Sequence, residues 1–319
     1  MTNDQTLQAP LPTVITIAGE VMLETRTRLP ATGIDLIEDG VFLRLGGPAW
    51  NMALSLSALG APVALTGPIG EACRHDAEAL APNVDLSRAA WLPGSSDLLT
   101  LIHDTGIDGY RALYQRAPID NRQLDAIGMQ LTRASMLVLT GSRHERIRDL
   151  YCDFVEAFKP TRLVFAPNYA TRTFNAAQLR LLIESADLIS LNEVEVQLAL
   201  GMLDLDTEAK LASMSNGTLI VTRAARGATV YPTARASKFD VAPLSGSPSE
   251  HFGAGDAFLS GFIVARERGD AVDVAARYAA GAAACFINQP GEWPTIDDAA
   301  IQGKLRRGKT NSKTRQKGQ

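Results

Sequence analysis

Four short runs of β-branched and aliphatic residues, 135–140 (SMLVLT), 162–166 (RLVFA), 187–191 (DLISL) and 218–222 (TLIVT), punctuate the middle of the chain. Helical stretches, 143–158, 174–185 and 193–200, lie between several of them. This alternation constrains the fold more than any other feature. Strand, helix and strand in series imply parallel βαβ units and a sheet covered by helices on both faces. VITIAG (14–19) has the same character and suits a buried first strand. A helix is expected after Gly47-Pro48, with Trp50, Ala53, Leu54 and Leu56 on its packing face and Gly60 as its stop; the strand PVALTGPIG follows. Two segments break the rule. Residues 22–45 hold only short alternating pieces, and 97–118 alternates like a meander turning at Asp108-Gly109. Both point to a second, smaller sheet.

Composition removes several function classes. The longest apolar stretches fall well short of the roughly 18 residues that span a bilayer, and the opening MTNDQTLQAPLP lacks a basic n-region running into an apolar core. The expectation is a cytoplasmic protein with no membrane partner. Cys73, Cys152 and Cys285 are far apart, and the four histidines are equally dispersed, which argues for reduced thiols and against zinc. Net charge is −4, yet seven basic residues and no acidic one lie from Lys304 onward. The body is therefore markedly acidic, which disfavours nucleic-acid binding, and the tail reads as a solvated end. Residues 1–12 read as a flexible leader, 13–302 as the folded domain and 303–319 as a basic disordered tail.

The most informative stretch is Gly253-Ala254-Gly255-Asp256-Ala257-Phe258. From Asp256 onward Phe258, Leu259, Phe262, Ile263 and Ala265 recur at helical spacing, so the glycines sit at a helix N-terminus. Glycines there leave the amides open, and those amides with the helix dipole attract an anion. An aspartate just inside such a turn can accept a proton from an attacking hydroxyl while the amides hold a phosphoryl group.

With this turn in view, the chain resembles the ribokinase-like (PfkB) family of sugar and nucleoside kinases. A second motif carries the resemblance too. Gly46-Gly47-Pro48-Ala49-Trp50-Asn51-Met52-Ala53 is similar to the family's Gly-Gly…Asn-x-Ala segment. The resemblance implies a ribokinase-like α/β fold: a three-layer αβα sandwich with a mainly parallel central sheet and a small β-sheet lid from about 21–45 and 95–118. It implies ATP and magnesium as cofactors and a homodimer contact through the lid. It assigns Asp256 as the base and the amides of Gly253, Ala254, Gly255 and Asp256 as the anion hole. It places Glu24, Gly46, Gly47 and Asn51 on the acceptor, with Arg116 of YQRAP as a further candidate for an anionic or hydroxyl-rich one. Asn192, Thr222, Ala224, Gly227 and Ala283 fall to ATP. Glu195, in the Asn192-Glu193-Val194-Glu195 segment, falls to magnesium through water.

The chain departs from the pattern in places. Glu250, His251 and Phe252 stand where members commonly hold a monovalent cation, which argues against potassium activation. Ala224 replaces a glycine, and Glu24 is one methylene longer than the commoner Asp. Ala166-Pro167-Asn168-Tyr169-Ala170 resembles an Asp-Pro-Asn-x-Arg segment without its charges; Arg172 either substitutes for the missing cation or lies on the surface. The expected reaction is transfer of the γ-phosphate to a primary hydroxyl of a sugar or sugar acid. The alternatives are a nucleoside acceptor, with Leu98, Leu99, Tyr110 and Tyr114 as its platform, and a ligand-binding pseudokinase. A dinucleotide oxidoreductase is disfavoured because no GxGxxG follows the first strand.

Overall fold

The computed structural model describes residues 13–29, 42–94, 96–104, 110–232, 237–244, 253–287 and 296–306. The chain opens with β1 (Ile15–Ala18), β2 (Met22–Leu29), β3 (Phe42–Gly46), α1 (Pro48–Ala58), β4 (Val63–Thr66) and β5 (Pro68–Gly70). There follow α2 (Arg74–Leu80), β6 (Val84–Asp85), β7 (Ala90–Leu92), β8 (Asp97–Asp104), β9 (Tyr110–Gln115) and α3 (Asn121–Leu131). Regular alternation then sets in with β10 (Met136–Thr140), α4 (Glu145–Phe158), β11 (Leu163–Ala166), α5 (Ala176–Ser185), β12 (Leu188–Asn192) and α6 (Glu193–Leu203). The chain closes with α7 (Glu208–Ser213), β13 (Thr218–Thr222), β14 (Ala228–Tyr231), β15 (Phe239–Val241), α8 (Ala254–Glu267) and α9 (Val272–Ile287).

Among the described residues the main sheet has nine strands in the order β15-β14-β13-β12-β11-β10-β1-β4-β6. It is parallel from β6 to β13; β14 alone runs against the others, pairing antiparallel with β13 on one side and with β15 on the other. Its strands read as continuous apolar runs because both faces are covered. Along β10, Met136 and Val138 pack into one core with α1, α8 and α9, whereas Leu137 and Leu139 pack into the other with α3 to α7. The three-layer sandwich follows from this partition. β1 lies between β4 and β10, so the chain winds outward from it in both directions. That makes the carboxyl end of β1 the crevice where such sheets bind ligands.

The smaller sheet has the order β3-β2-β8-β9. β8 and β9 form the expected hairpin, while β2 and β8 pair in parallel because each leaves the main body separately. The turn at Asp108-Gly109 lies outside the described residues, as do residues 1–12. β5 and β7 form a third, two-stranded parallel pair. Helix continues through 298–306, so Lys304 and Arg306 sit in a helix rather than in the disordered tail expected from residue 303; the rest of that tail is outside the described residues. No helix among the described residues is long and apolar enough to cross a membrane.

Candidate active site

Gly253 caps α8 with φ of 87°, a left-handed conformation that side-chain-bearing residues rarely adopt. A Cβ there would lie 2.5 Å from Phe286 Cζ and 3.4 Å from Asn51 Nδ2, so space as well as torsion requires glycine. The cap has no side chain to satisfy the first turn, and the first intrahelical bond runs from Ala257 N to Gly253 O at 2.9 Å. The Ala254, Gly255 and Asp256 amides precede it and so have no helical acceptor. Gly255 is exposed, and a Cβ on it would meet nothing within 4 Å. Among the described residues, the space beside Gly255 is open.

Asp256, by contrast, is 7% exposed. Its Oδ2 accepts from Asn51 Nδ2 at 3.0 Å and its Oδ1 from Asn168 Nδ2 at 3.2 Å. The two sequence motifs therefore meet in one hydrogen bond. Burial pushes the Asp256 carboxyl up to about 7; the Asn51 bond opposes this, the Glu24 charge adds to it and the Asn168 bond opposes it. A carboxylate with that affinity is matched to taking a proton near neutral pH.

Gly46 and Gly47 link β3 to α1, and Glu24 reaches them from β2. Gly47 N donates to Glu24 Oε1 at 2.9 Å, while Arg44 Nε and Nη2 donate to Oε2 at 3.3 and 3.2 Å. A Cβ on Gly46 would lie 2.2 Å from Glu24 Cδ. Glu24 thus braces the glycine turn that positions Asn51, in addition to placing a negative charge near Asp256.

On the other side of the crevice, Asn192 and Thr222 end β12 and β13 as register partners. Asn192 caps α6: its side chain accepts from Glu195 N at 3.0 Å, while its N and Nδ2 donate to the Glu195 carboxylate at 2.9 and 2.6 Å. Burial pushes Glu195 up to about 7; the Asn192 backbone bond opposes this and the Asp256 charge adds to it. These buried oxygens fit a hard divalent cation approached through water. Ala224 and Gly227 form the turn after β13, with φ of 49° and 86°. Ala283 is half-buried on α9. The neighbouring Arg223 is occupied by Glu193, Glu208 and Thr229.

Sequence reasoning missed two features. Asn168 was visible only as part of a segment lacking its expected charges, yet its Nδ2 donates to the Asp256 carboxylate. The second feature is a buried network at the root of the lid. Glu20, just beyond β1, accepts from the Ser142 hydroxyl, from Arg143 N at 2.7 Å, from His144 N at 3.2 Å and from Tyr114 Oη at 2.9 Å. Asp97 accepts from Tyr114 Oη, from Ala117 N at 2.6 Å and contacts His144 Nε2 at 3.1 Å. Burial, reinforced by the Asp97 charge, raises the Glu20 carboxyl. Ligand atoms of Glu20, Asp97 and His144 lie within 4.8 Å of one another, but protein donors already fill them. Of the remaining expectations, Arg116 is exposed beside Arg143, and Arg172 is exposed. Leu99 is buried with Met22 against Tyr114 and Tyr169. Glu250, His251, Phe252 and the Tyr110 side chain lie outside the described residues.

Comparison with known proteins bears on the family and the fold. The family described as pfkB family carbohydrate kinase matches residues 24–298. The nucleoside kinase of Methanocaldococcus jannaschii, an archaeal member of the ribokinase family, superposes with a TM-score of 0.75 at 15% identity, covering 94% of this chain and 100% of its own. The Burkholderia thailandensis nucleoside kinase in complex with inosine gives 0.76 at 19% identity, covering 92% and 98%. A putative ribokinase II from E. coli, in complex with ATP and Mg2+, gives 0.75 at 18% identity, covering 92% and 99%. No curated protein sequence matches the chain.

Proposed function

Because the chain belongs to the pfkB family of carbohydrate kinases, we propose that it transfers the γ-phosphate of ATP to a primary hydroxyl of a sugar or sugar acid, with Asp256 as the base. The observation that carries this reading is the buried Asp256 carboxylate, fixed by Asn51 and Asn168 beside uncapped helix amides. Asp256 takes the proton of the acceptor hydroxyl as that oxygen bonds to the γ-phosphorus and the bond from phosphorus to the ADP oxygen breaks. The amides of Ala254 to Asp256 stabilise the charge on the migrating group. Asn51 keeps the base oriented and lies beside the acceptor.

Asn192, Thr222, Ala224 and Gly227 line the carboxyl edge where the nucleotide phosphates would lie, and Ala283 contributes to the wall behind. Magnesium bound near Glu195 through water would neutralise charge on the phosphates. The four residues Met22, Leu99, Tyr114 and Tyr169 support a second reading, in which an apolar lid wall receives a nucleoside base.

Replacing Asp256 with Asn tests the assignment. The amide is isosteric and cannot accept the proton, so phosphorylation should drop by about 10²–10⁴ while acceptor and ATP still bind. Calorimetric binding with retained turnover would show that another group is the base.

A further inference from the structure

Arg143 follows the carboxyl end of β10, and its guanidinium carbon lies 4.6 Å from the ring centre of Tyr114 and 5.0 Å from that of Tyr169. Its Nε is buried and has no hydrogen-bond partner. Among the described residues its guanidinium has no acidic partner within ion-pair distance. Glu20 and Asp97, at the same loop, are engaged by Ser142, His144, Tyr114, Tyr169, Ala117 and the Arg143 amide. Two more arginines converge on the same loop. Arg116 Nη1 donates weakly to the Arg143 carbonyl at 3.4 Å, and Arg148, 8% exposed, donates to Ser142 O at 3.0 Å while its own Nε is unpartnered. Neither has an acidic partner in an ion pair among the described residues.

Arg148 lies in the fields of Glu145, Asp149 and Glu20 and Arg116 is exposed to solvent, which leaves Arg143 as the cation whose buried, unpartnered nitrogen costs free energy unless something negative joins it. Stacking on two aromatic rings fixes the Arg143 plane and leaves its donor edge for a planar or tetrahedral oxyanion. The location is also specific. Tyr169, whose ring bears on Arg143, directly follows Asn168, which holds Asp256. The unpaired cation therefore stands at the acceptor end of the crevice, on the lid side.

We propose that Arg143, assisted by Arg116, receives an anionic group, a carboxylate or a phosphate, on the acceptor at the end remote from the hydroxyl that Asp256 deprotonates. This rests on the kinase reading above and narrows it. It also disfavours the nucleoside reading, because the guanidinium occupies the ring faces on which a base would stack.

The test uses the full chain, Arg143→Met and the charge-conserving Arg143→Lys. Thermal unfolding and steady-state kinetics with MgATP are measured across aldonates, sugar monophosphates, the matching neutral sugars and nucleosides. The expected result is that one anionic class stabilises the wild type and is phosphorylated with a KM about 10- to 100-fold below that of its neutral counterpart. Arg143→Met should abolish that preference with kcat and the KM for ATP nearly unchanged, and Arg143→Lys should restore part of it. Whether aldonates or sugar phosphates carry the effect decides between carboxylate and phosphate. Equal response to neutral and anionic ligands, or a preference that survives in Arg143→Met, overturns the proposal. An anionic ligand that binds through Arg143 but never consumes ATP would instead refute the kinase reading and leave the anion receptor standing.

Discussion

At the scale of single residues, the chemistry reduces to how two amides hold one carboxylate. As the proposed base, Asp256 works only when ionised, so kcat/KM should fall as pH drops through about 7. The Asn168 bond holds that affinity down, so Asn168→Ala should move the acid limb to higher pH and lower the rate at pH 7. A pH–rate profile that does not move would mean Asn168 leaves the base untouched. The same affinity has a stability consequence of defined sign. The folded value lies above the ordinary 3.8, so the Asp256 contribution is fully present below about 4 and is lost as pH rises through about 7. Asp256→Asn should accordingly melt above the wild type at pH 8, with the advantage vanishing toward pH 4. The glycine turn and Asp256 were legible in sequence because their meaning is local. Asn168 was not, since its role arises from a contact spanning 88 residues.

At the scale of elements, the sequence pattern located α4, α5 and α6 to within a few residues, because each covers a strand with one apolar stripe. α3 and α7 went unassigned, although Asp120 and Gln123 cap α3 with a reciprocal pair that the sequence displays. β5, β6 and β7 have two or three residues each, too few to show any period. The turn between β13 and β14 is where local rule and structure conflict. Ala224 adopts φ of 49° so that Gly227 N can reach its carbonyl at 3.0 Å. A left-handed alanine costs roughly 1–2 kcal/mol, partly offset in a glycine variant by the freer unfolded chain. Ala224→Gly should therefore stabilise the protein by about 0.5–1 kcal/mol, raising Tm by about 2 °C in calorimetry. A lower Tm would show that the alanine methyl packs usefully and that the torsion is not strained.

At the scale of the whole molecule, the question is what ties the lid to the body. Glu20, Asp97, Tyr114 and His144 come from four segments separated by up to 124 residues, which is why no reading of the sequence joined them. Asp97 begins β8 and Ala117 follows β9, so both roots of the hairpin converge on one carboxylate, and Tyr114 Oη links that carboxylate to Glu20 on the body. In the proposed reaction, a lid anchored this way would exclude water from the acceptor and so favour transfer over hydrolysis. Tyr114→Phe isolates the bond from the ring: the aromatic face against Arg143 and Leu99 remains, and only the shared hydroxyl is lost. Glu20 and Asp97 keep their other donors but lose the hydroxyl they share, at a cost of about 1–3 kcal/mol. Amide exchange in β8 and β9 should accelerate, and ATP hydrolysis without acceptor should rise severalfold while transfer to acceptor falls less. Lowered stability with unchanged exchange and hydrolysis would place the control of lid closure elsewhere. The opposite pair of results would make this hydroxyl the point at which the lid is held to the catalytic body.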